Sequence, residues 1–377
     1  MIYLDTAATS HKKPPQVYNT LAVLTKKHSA NAGRGASTLS LAAANYIYEA
    51  AEQAALLFHI AQPENIAFTC NTTLALNMAI KGCTKNKPHV IMTSMEHNSA
   101  ARPVYACGAP YTIVRADREG YVNPIDIARA IRPNTGLIVV NHASNVCGSL
   151  QDIAAIGKIA RQNGILFLVD SAQSAGVVPI DVETMQIDML AFAGHKSLMG
   201  PLGTGGLYVR EGLLLDTIIE GGSGSSSESK EQPDFMPDRL VSGTANMPAI
   251  AALGEGIKYV RKIGVESILA HERALAKQFV DGVRQIGGIT LYGGAPERGV
   301  GVVSLNIKGK SAVETAQILD QEYKIAVRSG LHCAPLAHET LGTLNHGGTV
   351  RFSFGHYTTR SEVDRALLAL NKICKKV

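Results

Sequence analysis

Asp170 and Lys196 each follow a short apolar run. Ile165-Leu-Phe-Leu-Val169 leads into the acid, and Met189-Leu-Ala-Phe-Ala193 leads into Gly194-His195-Lys196. Such runs read as buried parallel strands. An acid and an amine just past neighbouring strands lie on the edge where open α/β sheets bind ligands. A lysine can form an imine with a cofactor aldehyde, and an aspartate can keep a pyridine nitrogen protonated. The two together make the pyridoxal-phosphate arrangement. The plainer reading of the same residues is a helix-capping aspartate and a surface lysine.

A second reactive stretch is Arg328-Ser-Gly-Leu-His332-Cys333-Ala-Pro335. Glycine lets the chain bend, and Pro335 lets a helix start right after the thiol. A cysteine at a helix N-terminus beside a histidine can ionise at neutral pH and act as a nucleophile. The alternative is a structural thiol. Thr72 and Thr73 stand where a strand gives way to a helix, whose free N–H groups suit a phosphate. An ordinary N-cap is the competing reading. His97, in Glu96-His97-Asn98, can lie against a pyridine ring and shuttle protons. Asn145 and Gln173 can bond a phenolic oxygen or simply serve as turn residues. Arg351, in "TVRFSF", can hold a carboxylate in bidentate fashion or form a salt bridge.

The elements that must position these groups follow from the pattern. Strands are predicted at 66–69, 89–94, 111–115, 137–142, 165–170, 188–193 and 205–209. Helices are predicted at 39–58, 74–83, 98–107, 124–131 and 151–163. Alternation of apolar strands with helices means a mainly parallel, doubly wound α/β sheet. Residues 28–38 read as a loop, and the Gly/Ser-rich 221–237 as a flexible surface loop. Long helices are predicted at 248–263 and 265–286. Strands at 301–307, 325–328 and 349–354, with helices at 311–322 and 360–374, then make a small α+β C-terminal domain.

Composition narrows the class. The 377 residues are 46% hydrophobic and 18% charged, enough for a large core in two domains. The net charge of +5 is spread evenly, with no basic block that suggests nucleic acid. No apolar run of membrane-spanning length occurs, and "MIYLDTAATSHKKPP" is no signal peptide, so a cytoplasmic protein is expected. The six cysteines form no CxxC pair, which argues against a zinc ribbon or a secreted disulfide framework. Most should be reduced and several buried. No metal ligand set is expected.

Taken in order, "YLDTAATS", "HSANAGRG", "CNTTLALN", "EHNS", "SNVCG", "DSAQSAGVVPIDV", "GHKSLMGPLGTGGLYV", "SGTANMPAIAAL", "RSGLHCAPL" and "VRFSFGHYTTRSEVD" resemble the class V aminotransferase group of fold-type I pyridoxal-phosphate enzymes. Within it the chain is similar to the second group of cysteine desulfurases, which also contains selenocysteine lyases. The resemblance implies an N-terminal segment (1–20) associated with the small domain, a large pyridoxal-phosphate-binding domain (21–250) and a small C-terminal domain (251–377). It implies that Lys196 carries the imine and shuttles protons, that Asp170 pairs with the ring nitrogen, and that His97 stacks on the ring. Gln173 and Asn145 would bond the phenolic oxygen. Thr73, the Thr72 backbone and His195 would hold the phosphate. Thr244 would reach the phosphate of a neighbouring subunit, which requires a homodimer. Arg351, assisted by Asn31, would bind the substrate carboxylate.

Cys333 would take sulfur from L-cysteine as a persulfide, release L-alanine and pass the sulfur to an acceptor protein. Selenocysteine lyase is the alternative. A class V aminotransferase fits less well, having no use for the thiol. Two departures stand out. Many relatives carry a serine where Ala193 stands, so Thr72, Thr73 or Thr244 must compensate. The loop "HCAPLAH" is also one residue shorter between alanine and proline than in familiar desulfurases.

Overall fold

The computed structural model describes residues 1–33, 35 and 37–375. Its centre is a seven-stranded sheet in the order Ile66–Thr69, Gly205–Val209, Met189–Ala193, Leu166–Asp170, Thr135–Asn141, His89–Thr93, Tyr111–Val114. All neighbours pair in parallel except Gly205–Val209, which is antiparallel to both of its partners. The run Leu137-Ile138-Val139-Val140 is wholly buried, as a strand covered on both faces must be. Its side chains alternate between two cores. Ile138 and Val140 join Phe167, Val169 and Phe192, whereas Leu137 and Val139 join Leu168, Met189 and Leu207.

The C-terminal part packs the helices Val265–Val283 and Arg360–Lys375 on a four-stranded antiparallel sheet. Its core gathers Phe279, Leu305, Phe352 and Leu370. Two features there differ from expectation. The predicted strand 325–328 splits in two: Ile325–Ala326 pairs with Ile2–Tyr3, and Arg328–Gly330 pairs with Thr349–Ser353. Ile289–Tyr292 adds an edge strand where none was predicted. Helix Met247–Ile263 contributes Leu253 and Ile257 to the core of the large sheet and Val260 to a core shared with Val300 and Val302.

Among the described residues no helix is long and apolar enough to cross a membrane. All six cysteines are free; only Cys147 is buried, and Cys70 and Cys333 are exposed.

Close packing fixes one helix against the sheet connection. Gly157, inside Ile153–Gln162, faces the Met185 carbonyl so closely that any Cβ would overlap it. Gly157→Ala is therefore expected to destabilise the protein by about 1–3 kcal/mol net of the gain in helix propensity. A lower urea midpoint with an unchanged slope would show it.

Candidate active site

The C-terminal ends of the central strands surround a cavity of about 170 Å³. Thr72, Thr73, His97, Asn145, Asp170, Gln173, His195 and Lys196 all line it. Asn71, Ser99, Asn141, Ala172 and Ala193 complete the wall. Parallel register aligns the edge, with Asn141 opposite Asp170 and Asp170 opposite Ala191.

One end of the cavity is the start of helix Thr72–Cys83. The cap is neither threonine but Asn71, whose Oδ1 accepts the Leu74 N–H at 2.9 Å. The threonines lie in the first turn, where backbone N–H groups have no intrahelical acceptor. Thr73 Oγ1 is 2.8 Å from Ser99 Oγ, which is 2.8 Å from His97 Nδ1. The Ser99 N–H also donates to that Nδ1, so this nitrogen acts as an acceptor. Ser99 thus places a hydroxyl at the threonine end of a site where position 193 offers only a methyl.

His97 caps helix Asn98–Ala106, and burial, then Lys196, pull its pKa down to about 4. At that value the ring is neutral near pH 7, because its surroundings disfavour a cation. His195 is held near 4 by the same two causes, burial and Lys196.

Burial lowers the Lys196 amine to about 8, with Asp170 pulling up and Arg351 and Arg328 pulling down. Asp170 is raised by burial, opposed by the Ala172 N–H at 2.9 Å and by Lys196. Amine and carboxylate attract without a direct ion pair, and Lys196 Nζ has no hydrogen-bond acceptor among the described residues. Behind the wall lies fully buried Glu96, raised to about 8 by burial. Its Oε1 accepts from Thr93 Oγ1 at 2.6 Å and the Asn141 N–H at 2.9 Å.

Cys333 does not line the cavity, but its loop is tied to the wall. The Asn98 N–H donates to the Cys333 carbonyl at 2.7 Å, and Asn145 Nδ2 to the His332 carbonyl at 2.6 Å. His332 and Cys333 hold φ of +49° and +57°, left-handed values that non-glycine residues adopt at a cost. Helix Pro335–Thr340 follows, capped by Ala334. Burial, then Arg351, push His332 down to about 2, so this ring supplies no positive charge to a thiolate. The expected pairing of Cys333 with a charged His332 is therefore not what the structure holds.

Arg351 also lies outside the cavity wall. It is buried, with Nη2 on Asp5 Oδ1 at 2.7 Å and Nη1 donating to the Asn145 carbonyl at 2.9 Å. Its Nε is buried without a partner among the described residues. The salt-bridge alternative for Arg351 is thus the arrangement seen. Asp5→Asn would leave this guanidinium uncompensated. The expected result is a loss on the order of 3 kcal/mol in chemical denaturation.

Gln173 Nε2 donates to the Ala7 carbonyl at 2.9 Å. Asn31 and Thr244 line a separate cavity of about 680 Å³. Arg34 and Ala36, within "HSANAGRGAST", lie outside the described residues.

The family model for class-V aminotransferases matches residues 2–366. The chain belongs to the class-V aminotransferase family. It is 36% identical over 371 residues to a protein named probable cysteine desulfurase from Methanothermobacter thermautotrophicus, covering 96% of this chain and 92% of that one. It is 30% identical to a cysteine desulfurase from Escherichia coli SE11, covering 99% and 93%. The apo structure of cysteine desulfurase from Thermococcus onnurineus NA1 superposes with a TM-score of 0.92 at 32% identity, covering 100% of this chain and 95% of that one.

Class-V enzymes depend on pyridoxal phosphate, and the cavity suits that group. It has a helix N-terminus with hydroxyls for a phosphate, a buried carboxylate for a ring nitrogen, an amine with no acceptor for the aldehyde, and the orphaned buried Asn145 Oδ1.

The sequence reading missed Asn71, Ser99, Asn141 and Glu96, and the N-terminal residues Asp5, Thr9, Ser10 and Lys13. Strand-end position would have flagged Asn141 as it did Asn145.

Proposed function

We propose that this chain is a pyridoxal-phosphate-dependent cysteine desulfurase that converts L-cysteine to L-alanine and a Cys333 persulfide. One joint observation carries the reading: Lys196 faces Asp170 across a cavity whose wall is hydrogen-bonded to the loop of an exposed thiol. Bound there, the cofactor supplies an electron sink for the carbanion formed at the substrate Cα.

Lys196 would hold the cofactor through its aldehyde and, with its amine free again, would give and take the proton at the substrate Cα. Asp170 would face the ring nitrogen and bond its proton. Thr73, the Thr72 N–H and His195 would hold the phosphate, helped by Ser99. His97, neutral, would lie against the ring, and Gln173 and Asn145 would bond the phenolic oxygen. Arg351 receives the substrate carboxylate through donor capacity beyond Asp5, with Asn31 assisting. Cys333 attacks the substrate sulfur: an S–S bond forms, the C–S bond breaks, and its electron pair returns to carbon, which is protonated.

A second copy of the chain covers the cavity lined by Asn31 and Thr244 and brings Thr244 to the neighbour's phosphate. The enzyme works in the cytoplasm as a homodimer and passes sulfur to an acceptor protein. We divide it into a large domain (21–250) and a small one (251–377). The N-terminal segment pairs with the small domain at Ile2–Tyr3 and bonds residues of the large one farther on.

Cofactor-loaded protein given L-cysteine and a reductant should release alanine and sulfide in equal amounts. Loaded protein that yields no alanine would overturn the reading.

A further inference from the structure

The stretch Asp5–Lys13 has almost no regular structure, yet it reaches three groups of the site. Asp5 holds Arg351, and the Ala7 carbonyl accepts from Gln173. Thr9, Ser10 and Lys13 converge on the two carbonyls that flank the Lys196 side chain. The His195 carbonyl faces Thr9 Oγ1 at 3.0 Å, Ser10 Oγ at 3.1 Å, the Ser10 N–H at 3.2 Å and Lys13 Nζ at 2.9 Å. The Lys196 carbonyl accepts from Ser10 Oγ at 2.9 Å.

A carbonyl has two lone pairs, so these donors compete, and the charged one makes the strongest bond. Lys13 Nζ also donates to Ser10 Oγ at 2.6 Å. An ammonium only donates, which leaves the Ser10 hydroxyl proton free to go on to the Lys196 or His195 carbonyl. Among the described residues no carboxylate forms an ion pair with Lys13. A half-buried lysine whose charge meets only a backbone carbonyl and a hydroxyl, and no carboxylate, is unusual, because such groups are normally paired. Burial lowers its pKa to about 8, so it is mostly charged at neutral pH.

We propose that Lys13 is a positioning residue of the reaction, which through the His195 carbonyl and the Ser10 hydroxyl fixes the peptide that carries Lys196. This rests on the reading of Lys196 as the reacting amine. An ammonium bonded to the preceding carbonyl restrains the rotation of the turn and so sets where the Lys196 amine points. Misplacement by an ångström is enough to slow chemistry strongly.

The test uses full-length Lys13→Met, Lys13→Arg and Ser10→Ala. Cofactor-free protein is mixed with pyridoxal phosphate, and the visible band of the bound cofactor is followed for rate of appearance and for its pH midpoint. Steady-state kinetics on L-cysteine and thermal unfolding run alongside. Lys13→Met should capture the cofactor more slowly, shift the pH midpoint, and lose kcat on the order of tenfold with KM changed by less than about twofold. Lys13→Arg should restore most of this.

Wild-type capture, midpoint and kcat in folded Lys13→Met would overturn the proposal, even with a lower melting temperature, because Lys13 would then serve only the fold. If Lys13→Met does not fold, Ser10→Ala decides. The same shifts, in smaller degree, support the relay, and their absence overturns it. If the wild-type band itself never forms, the functional reading falls and takes the proposal with it. If it forms and the variants match it, the proposal alone falls.

Discussion

Lys196→Met is expected to abolish turnover, on the order of 10⁴-fold or more, and at the same time to stabilise the cofactor-free protein at neutral pH. Loss of activity follows because no other amine among the described residues lines the cavity. The gain in stability follows from linkage. The Lys196 pKa falls from 10.5 in a free side chain to about 8 in the fold. Between those values the unfolded chain binds the proton and the folded one does not, so stability rises with pH across that window. Below about 8 both states are protonated and the fold carries the whole penalty of a cation that burial disfavours. A shift of this size corresponds to up to about 3 kcal/mol, less for whatever solvent reaches the side chain. Methionine keeps the length and removes the charge. Urea unfolding of both proteins from pH 6 upward should show the variant ahead by about 1–3 kcal/mol near pH 7. The two curves should converge as pH passes 10. A constant gap, or none, would mean that the amine meets water rather than the interior.

Sequence showed the inner strands of the large sheet because both of their faces are covered. A run such as Leu137-Ile138-Val139-Val140 has no other reading at that length. The residues just past those strands were legible for the same reason, since strand ends in a parallel sheet converge. What escaped depends on contacts between distant segments. Nothing near Lys13 shows that it will meet His195, and nothing in "TAATS" marks its hydroxyls as donors to that turn. Asn71 took the cap from Thr72 because an asparagine one residue earlier reaches the Leu74 N–H. Ile289–Tyr292 was missed as a strand because it is short, sits at an edge, and lies between glycine pairs. Charge state was the least legible property. His97 and His332 look like acid–base groups in sequence, and burial makes both neutral.

Cys333→Ala is expected to remove cysteine desulfuration, by on the order of 10²-fold or more, while turnover of selenocysteine survives. Sulfur bonded to carbon is a poor leaving group and needs a nucleophile to accept it; a selenol is more acidic and departs more readily without one. The substitution is also clean. The side chain is exposed and forms no hydrogen bond among the described residues, so stability should change by no more than about 0.5 kcal/mol. Alanine meets the same backbone demand at φ +57° as cysteine does, so the loop keeps its two ties to Asn98 and Asn145. Assays of alanine with both substrates, together with mass analysis of Cys333 for one added sulfur after brief exposure to cysteine, separate the roles. Wild type should carry the extra sulfur, and Cys333→Ala should carry none. If Cys333→Ala releases alanine from cysteine at the wild-type rate, the thiol has no part in sulfur abstraction, and its place beside the cavity is structural. If neither substrate is turned over, the thiol is needed before the chalcogen leaves, because a nucleophile used only to accept sulfur would not stop selenocysteine.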